Sequence, residues 1–206
     1  MSLLGETGSV ARLDISRIRK DEVMRVATKL VARKGWQNTT LADIAREADV
    51  SLGVITYHFS SKDEIIRGVM EKYVGENLTY LYQSLQEYDD PVEKLTNLVR
   101  LTLRETKRDK EIYYVHFDYW AKISWNDEIR EMNAQFYDFA RDWTADCVRR
   151  GIEAGVFREV DPREAATLIN SLLIGIQAQH AFDEEAFDFE GVAEMAEKAV
   201  LGFLLA

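Results

Sequence analysis

Thr40-Leu41-Ala42-Asp43-Ile44-Ala45-Arg46-Glu47-Ala48-Asp49-Val50-Ser51-Leu52-Gly53-Val54-Ile55-Thr56-Tyr57-His58-Phe59 decides the fold of this chain. Leu41, Ile44, Ala45 and Ala48 fall three and four apart, the spacing that gathers apolar side chains on one side of a short helix. Thr39-Thr40 precedes that helix and offers a cap. Asp49 follows it at a turn position that wants a left-handed backbone; glycine suits such a turn best, and Asp is tolerated because its short side chain bonds locally. Ser51 then caps another short helix, with Ile55 and Phe59 inward. Two short helices joined by so tight a turn and braced by a third are the parts of a helix-turn-helix.

With Ile55 and Phe59 turned inward, Leu52, Gly53, Thr56, Tyr57 and His58 are left toward solvent. Gly53 permits close backbone approach to a ligand. Tyr57 and His58 offer hydrogen bonds to phosphate or base edges, and Leu52 and Thr56 carry methyl groups suited to thymine. Lys62, opening the next helix, is expected to hold its ammonium ready for phosphate. Thr40 and Ser51, at the two helix starts, complete the set expected on double-stranded DNA.

Outward from this stretch the pattern stays helical. Val23, Val26, Ala27, Leu30 and Val31 form the stripe of a helix that Lys34-Gly35 closes with a cation and a glycine able to turn left-handed. Ser61-Lys62-Asp63-Glu64 reads as a capping box, with Ser61 the cap and Glu64 reaching back to it. From there Ile66, Val69, Met70, Tyr73, Asn77, Tyr80, Leu81, Leu85 and Tyr88 hold helical spacing long enough to join two domains. Asp90-Pro91 and Asp161-Pro162 each place an Asp cap before a first-turn proline. Helices are also expected near 111–123, 127–154 and 189–205. The count is about nine, with no strand alternation: an all-α chain. Its expected organisation is a flexible basic arm over 1–16, a DNA-binding domain over 17–62, and a ligand-binding and dimerisation domain over 63–206.

Composition is compatible with that order. The 206 residues include only two Pro and 11 Gly, too few for an all-β fold that turns every ~8–12 residues. The net charge of −10 argues against nucleic acid until it is divided. Residues 1–74 carry twelve Lys/Arg against ten Asp/Glu, whereas 75–206 carry 14 against 26. Arg12, Arg17, Arg19, Lys20, Arg25, Lys29, Arg33 and Lys34 concentrate the positive charge at the N-terminal end, as an anionic partner requires; a solvated helix face accounts for it equally well. The lone Cys147 makes no internal disulfide and reads as a core thiol in a reducing compartment. No apolar run is long enough to span a membrane, and the first residues do not resemble a secretory signal, so the expected location is cytoplasmic.

The run Thr40–Gly53, followed by Tyr57-His58-Phe59-Ser60-Ser61-Lys62-Asp63-Glu64, resembles the signature of TetR-type (tetracycline-repressor-like) transcriptional regulators. The resemblance spans about residues 17–70. It implies a homodimer of all-α subunits, each with a three-helix DNA-binding head and a larger ligand-binding, dimerising body. Asp49 departs from the glycine usual at the turn. Thr56 stands where many members have Tyr, and Ile55-Thr56 is closer to the BetI-like branch. Phe117–Ala121, Gly151–Phe157 and Ala165–Gly175 resemble the C-terminal domain of that branch. The function implied is a DNA-binding regulator, a repressor released from a pseudo-palindromic operator by a small-molecule effector.

In the second half, Tyr113, His116, Phe117 and Trp120 share one helical face, and Met132, Phe136, Ala140, Trp143 and Cys147 share another. These residues form either an aromatic core or the wall of a ligand cavity. The second reading makes Tyr113, His116, Phe117, Trp120, Phe136 and Trp143 the ligand-binding set. Tyr and Trp near Asp118, Asp138 and Asp142 suit a quaternary ammonium through cation–π contact, and a flat or acyl-chain ligand suits them as well. The helix after Pro162 is apolar around more than half its girth, with Ala165, Leu168, Ile169, Leu172, Leu173, Ile176 and His180 as its inward stripe. Its second apolar face, with Ala166, Ile174 and Gly175, and the last helix are expected to pair with a second copy; the other reading is two internal helices of a monomer.

An enzyme is not expected. His58, His116 and His180 lack a second His at metal-ligand spacing, and no glycine-rich phosphate loop is present, so neither metal nor cofactor is implied. Two other classes fit the same sequence: a sequence-indifferent architectural DNA binder, and a ligand-binding module whose head does not bind DNA.

Overall fold

The structure, a computed structural model, describes residues 6–108, 110–121 and 126–205, with side chains for 20–72, 75–76, 79–104, 111–121 and 126–205. In chain order the helices are α1 (Glu6–Lys34), α2 (Leu41–Glu47), α3 (Leu52–His58), α4 (Lys62–Leu85), α5 (Pro91–Arg108), α6 (Lys110–Trp120), α7 (Asp127–Glu153), α8 (Pro162–Phe182) and α9 (Phe189–Leu204). Among the described residues the one extended pairing is an isolated antiparallel bridge between Phe157 and Leu205. No helix among them is long and apolar enough to cross a membrane.

Helix starts follow the local chemistry. The Asp90 carboxylate accepts the Glu93 N–H at 3.0 Å, and Asp161 accepts that of Glu164 at 2.8 Å. Each satisfies one of the donors a helix start leaves without a partner. The arm expected over 1–16 falls only partly on described residues. From Glu6 onward its residues are the first turns of α1, since no proline interrupts 6–34 and only Gly8 weakens the run. Residues 1–5, and the side chains of Arg12, Arg17 and Arg19, lie outside the described residues.

The chain divides into two compact units. The first is Met1–Tyr73 with Tyr114–Asp118; the second is Val74–Tyr113 with Tyr119–Ala206. The division falls inside α4, further along than the sequence placed it. In the first unit Val23, Ala27, Leu30 and Val31 of α1 are buried with Ile44 and Ala45 of α2, Ile55 of α3, and Ile65, Ile66, Val69 and Met70 of α4. Ile55 has no exposed surface, so it fixes which side of α3 faces inward.

The second unit packs α7 along α8 and sets α5 against α7, α8 and α9. Its core includes Leu85, Leu95, Val99, Leu103, Val148, Phe157, Ile169, Leu173, Val200 and Leu204. The α8 stripe differs from expectation. Ala165, Ala166, Ile169, Leu173, Ile176, Gln177 and Ala181 are buried, whereas Leu168 is 56 % exposed and Leu172 37 %. A helix that is apolar most of the way round does not fix its own phase; here the small Ala166 faces inward, and Leu168 and Leu172 stand outward. Cys147 is buried on α7, and burial pushes its thiol up to about 12. In the native protein a thiol reagent should therefore label it many-fold more slowly than after denaturation; equal rates would place it at the surface.

Candidate functional site

The turn between α2 and α3 is built as its residue types require. Thr40 Oγ1 accepts the Asp43 N–H at 3.1 Å while the Thr40 N–H donates to Asp43 Oδ2 at 3.1 Å, a reciprocal cap. The Thr40 hydroxyl and amide, with Lys34 and Arg46 nearby, hold the Asp43 carboxyl below its ordinary value. At the other end of α2 the Asp49 N–H donates to Arg46 O at 3.3 Å and the Val50 N–H to Ala45 O at 3.0 Å. Those two bonds need the residue between them in the left-handed region, and Asp49 is there at φ 52°. Ser51 Oγ then accepts the Val54 N–H at 3.3 Å and starts α3.

Most of the residues expected on this surface stand toward solvent. Thr40, Ser51, Leu52, Gly53, Thr56 and Tyr57 are exposed, Tyr57 to 83 %, and His58 is half-buried. The Tyr57 and His58 rings meet edge-on, with centroids 4.9 Å apart. The Thr56 hydroxyl bonds back to Leu52 O at 3.2 Å and Gly53 O at 3.3 Å.

Lys62 is the correction. Its Nζ donates to Thr39 O at 2.7 Å and to Trp36 O, and sits 4.3 Å from the Trp36 ring centroid. The ammonium expected to await phosphate is committed to the loop between α1 and α2. Sequence reasoning passed over Trp36, whose signal was a large ring directly after the Gly35 turn. The capping box at α4 shifts by one residue: Ser61 Oγ accepts the Glu64 N–H as expected, but the Glu64 carboxylate takes the N–H and hydroxyl of Ser60.

Gly53 separates packing from function. A Cβ there would meet only Ser51 Oγ at 3.6 Å, an ordinary contact, so nothing inside the protein demands glycine. Gly53→Ala should raise stability, by up to about 1 kcal/mol from helix propensity, yet weaken DNA binding because the added methyl blocks the backbone's approach. A higher melting temperature with unchanged affinity would remove Gly53 from the interface.

In the second unit, four of the six aromatic candidates divide into two settings. The Tyr113 hydroxyl accepts from Gln177 Nε2 at 3.0 Å, and the Trp120 indole N–H donates to Asn133 Oδ1 at 2.7 Å. Tyr137 lies 6.0 Å from Trp120 and 4.9 Å from Phe136, centroid to centroid. Burial, with Tyr113 beside it, pushes the Tyr137 phenol up. These residues form a half-buried aromatic set joined to the buried amides Asn133 and Gln177. Trp143 instead packs on Tyr82 at 4.6 Å, against the apolar core. His116 and Phe117, both half-buried, belong to the first unit. The two amides and Tyr137 were missed; their signal was a carboxamide or phenol at an inward position, among the apolar residues of a helix's buried side.

Known proteins carry the same arrangement. Residues 91–205 match the family described as BetI-type transcriptional repressor, C-terminal, and residues 23–69 match the tetR family of bacterial regulatory proteins. The HTH-type transcriptional regulator YfiR of Bacillus subtilis is 30 % identical over 184 residues, covering 86 % of this chain and 88 % of its own. The HTH-type transcriptional repressor KstR2 of Mycolicibacterium smegmatis is 24 % identical over 140 residues, 68 % of each chain. A transcriptional regulator from Saccharomonospora viridis, solved in complex with choline, superposes with a TM-score of 0.83 at 26 % identity, covering 91 % of this chain and 97 % of that one. With a helix-turn-helix in its first unit and a BetI-type second unit, the chain belongs to the TetR family of bacterial transcriptional regulators.

Proposed function

We propose that this chain is a homodimeric cytoplasmic repressor that holds a pseudo-palindromic operator until a small effector enters its second unit. The observation that carries the reading is the outward face of α3: Leu52, Gly53, Thr56 and Tyr57 are exposed on a helix held by the wholly buried Ile55. Two such helices would enter successive major grooves, ~34 Å apart or a multiple of that. The dimer face we assign to the exposed row of α8 that carries Leu168 and Leu172, together with Met195 on α9. Large apolar side chains repeating along one helix face in water favour a second copy over solvent.

The effector site we assign to Tyr113, Trp120, Phe136 and Tyr137 with Asn133 and Gln177. An aromatic set with few polar anchors is the usual make-up of a small-molecule chamber. Choline in the Saccharomonospora viridis regulator makes a quaternary ammonium the first probe. Release requires only that the effector prefer a dimer whose α3 helices no longer match the groove spacing.

Band shifts on the DNA upstream of the chain's own gene test the reading. Binding should fall steeply with salt, and Leu52→Ala/Tyr57→Ala should weaken it at least tenfold without lowering the melting temperature. Equal affinity for random and upstream duplexes would favour the architectural binder. Dimerisation without a shift on any duplex would favour the module without DNA.

A further inference from the structure

We infer that this regulator reads its operator through thymine methyl groups, with Leu52 and Thr56 as the specificity-determining residues and no side-chain fork from α3 to guanine or adenine. The inference rests on the DNA-binding reading and narrows it to a chemistry. Guanine is most often read by a bidentate Arg or Lys on O6 and N7, adenine by Asn or Gln on N6 and N7, and cytosine by a carboxylate on N4. Leu52-Gly53-Val54-Ile55-Thr56-Tyr57-His58, the whole of α3, contains none of these residue types.

What α3 does present is apolar or singly polar. Leu52 is 47 % exposed, and Thr56 stands one turn further along the same face. The Thr56 hydroxyl proton is committed to the carbonyls of Leu52 and Gly53, which leaves its methyl as the group to offer. Between them Gly53 keeps the backbone bare, so two short side chains can reach the floor of a groove that a bulkier residue would hold away. A half-exposed Leu in water needs an apolar partner on binding. In the major groove the thymine C5-methyl is the apolar group that base pairs display. Tyr57 and His58 add single hydrogen bonds, which position the helix on the backbone without naming a base.

The test begins with selection of duplexes from a randomised library by the full chain. Each thymine of the enriched half-site is then replaced by deoxyuridine, which removes only the C5-methyl, and each guanine by 7-deazaguanine, which removes only N7. Deoxyuridine should weaken binding about fourfold at each contacted thymine, the effect of losing burial of one methyl group. Deazaguanine under α3 should change nothing. In Leu52→Ala the deoxyuridine penalty should vanish at one position, and in Thr56→Ser at another. Indifference to deoxyuridine, or a loss at deazaguanine, overturns the inference while leaving DNA binding intact. Failure to enrich any duplex over a no-protein control occurs one step earlier and overturns both.

Discussion

Gly151→Ala should destabilise the second unit more than almost any other loss or gain of a single methyl in this chain. A Cβ at Gly151 would lie 1.9 Å from Phe157 Cδ2 and 2.3 Å from Cε2, far inside contact distance. Relief would require the ring to move, and the ring is held. Phe157 is 3 % exposed within the main core. Its N–H donates to Gly151 O at 3.0 Å, and the next residue, Arg158, donates to Leu204 O at 2.8 Å. The bridge to Leu205 ties the same segment to the end of α9. The turn that brings Phe157 back over α7 is the one seen after α2: the Gly155 N–H bonds Ile152 O and the Val156 N–H bonds Gly151 O, with Gly155 at φ 72°. Overpacking so confined a site is expected to cost about 3 kcal/mol, the upper part of the range for added methyl groups. The urea midpoint should fall accordingly. Combining Gly151→Ala with Phe157→Ala should cost at least about 1 kcal/mol less than the sum of the two changes, because the second removes the ring the first collides with. A melting temperature unchanged in Gly151→Ala would show that Phe157 is free to swing away, and that this turn does not anchor α9.

How far the sequence carried the fold can be judged at individual residues. Asp49 was legible because its position demanded a positive φ whatever the tertiary surroundings. Asp90, Asp161 and Ser51 were legible for a related reason, since a cap bonds within three residues of itself. The outward side of α3 was legible because buried Ile55 and Phe59 leave one choice for the rest of so short a helix. What failed was phase and partnership. In α8 apolar residues run round most of the circumference, so whether Ala166 or Leu168 turned inward depended on what α7 presented, which no local window contains. The exchange of Ser61 for Ser60 under Glu64 is a similar near-degeneracy between two adjacent identical residues. The Lys62 error has a different origin. A lysine beside a DNA-binding helix is ordinarily read as solvated, and its partners, Trp36 and Thr39, lie more than twenty residues away.

Lys62→Met should therefore behave as a folding mutation, and it separates the two roles this residue could have. A lysine serving only to contact phosphate would leave the melting temperature alone when replaced. It would also flatten the salt dependence of binding by about one charge's worth, a slope change near 0.9. The structure assigns the opposite pattern. Two loop carbonyls, Trp36 O and Thr39 O, take hydrogen bonds from the ammonium, and the Trp36 ring lies beneath it. Hydrogen bonds from a charged donor contribute about 1.5–3 kcal/mol each when well buried; for a half-buried lysine a total loss of about 2 kcal/mol is the reasonable expectation. The loop so released carries Thr39, whose hydroxyl bonds Gly35 O at 3.0 Å, and Thr40, whose cap starts α2. Slackening it should tilt α2 and with it α3, so operator affinity should fall tenfold or more while the salt slope stays as in the parent. Met keeps the length and most of the apolar stem, which makes the missing charge the variable under test. Lys62→Arg provides the second arm: a guanidinium preserves the charge for phosphate but not the point-like geometry that two converging carbonyls require. If Lys62→Arg restores binding fully and Lys62→Met melts at the parent temperature, the lysine serves DNA and the loop closes without it. If both variants lose stability, the head is held shut by this one side chain, and Trp36 belongs to the DNA-binding machinery as much as any residue on α3.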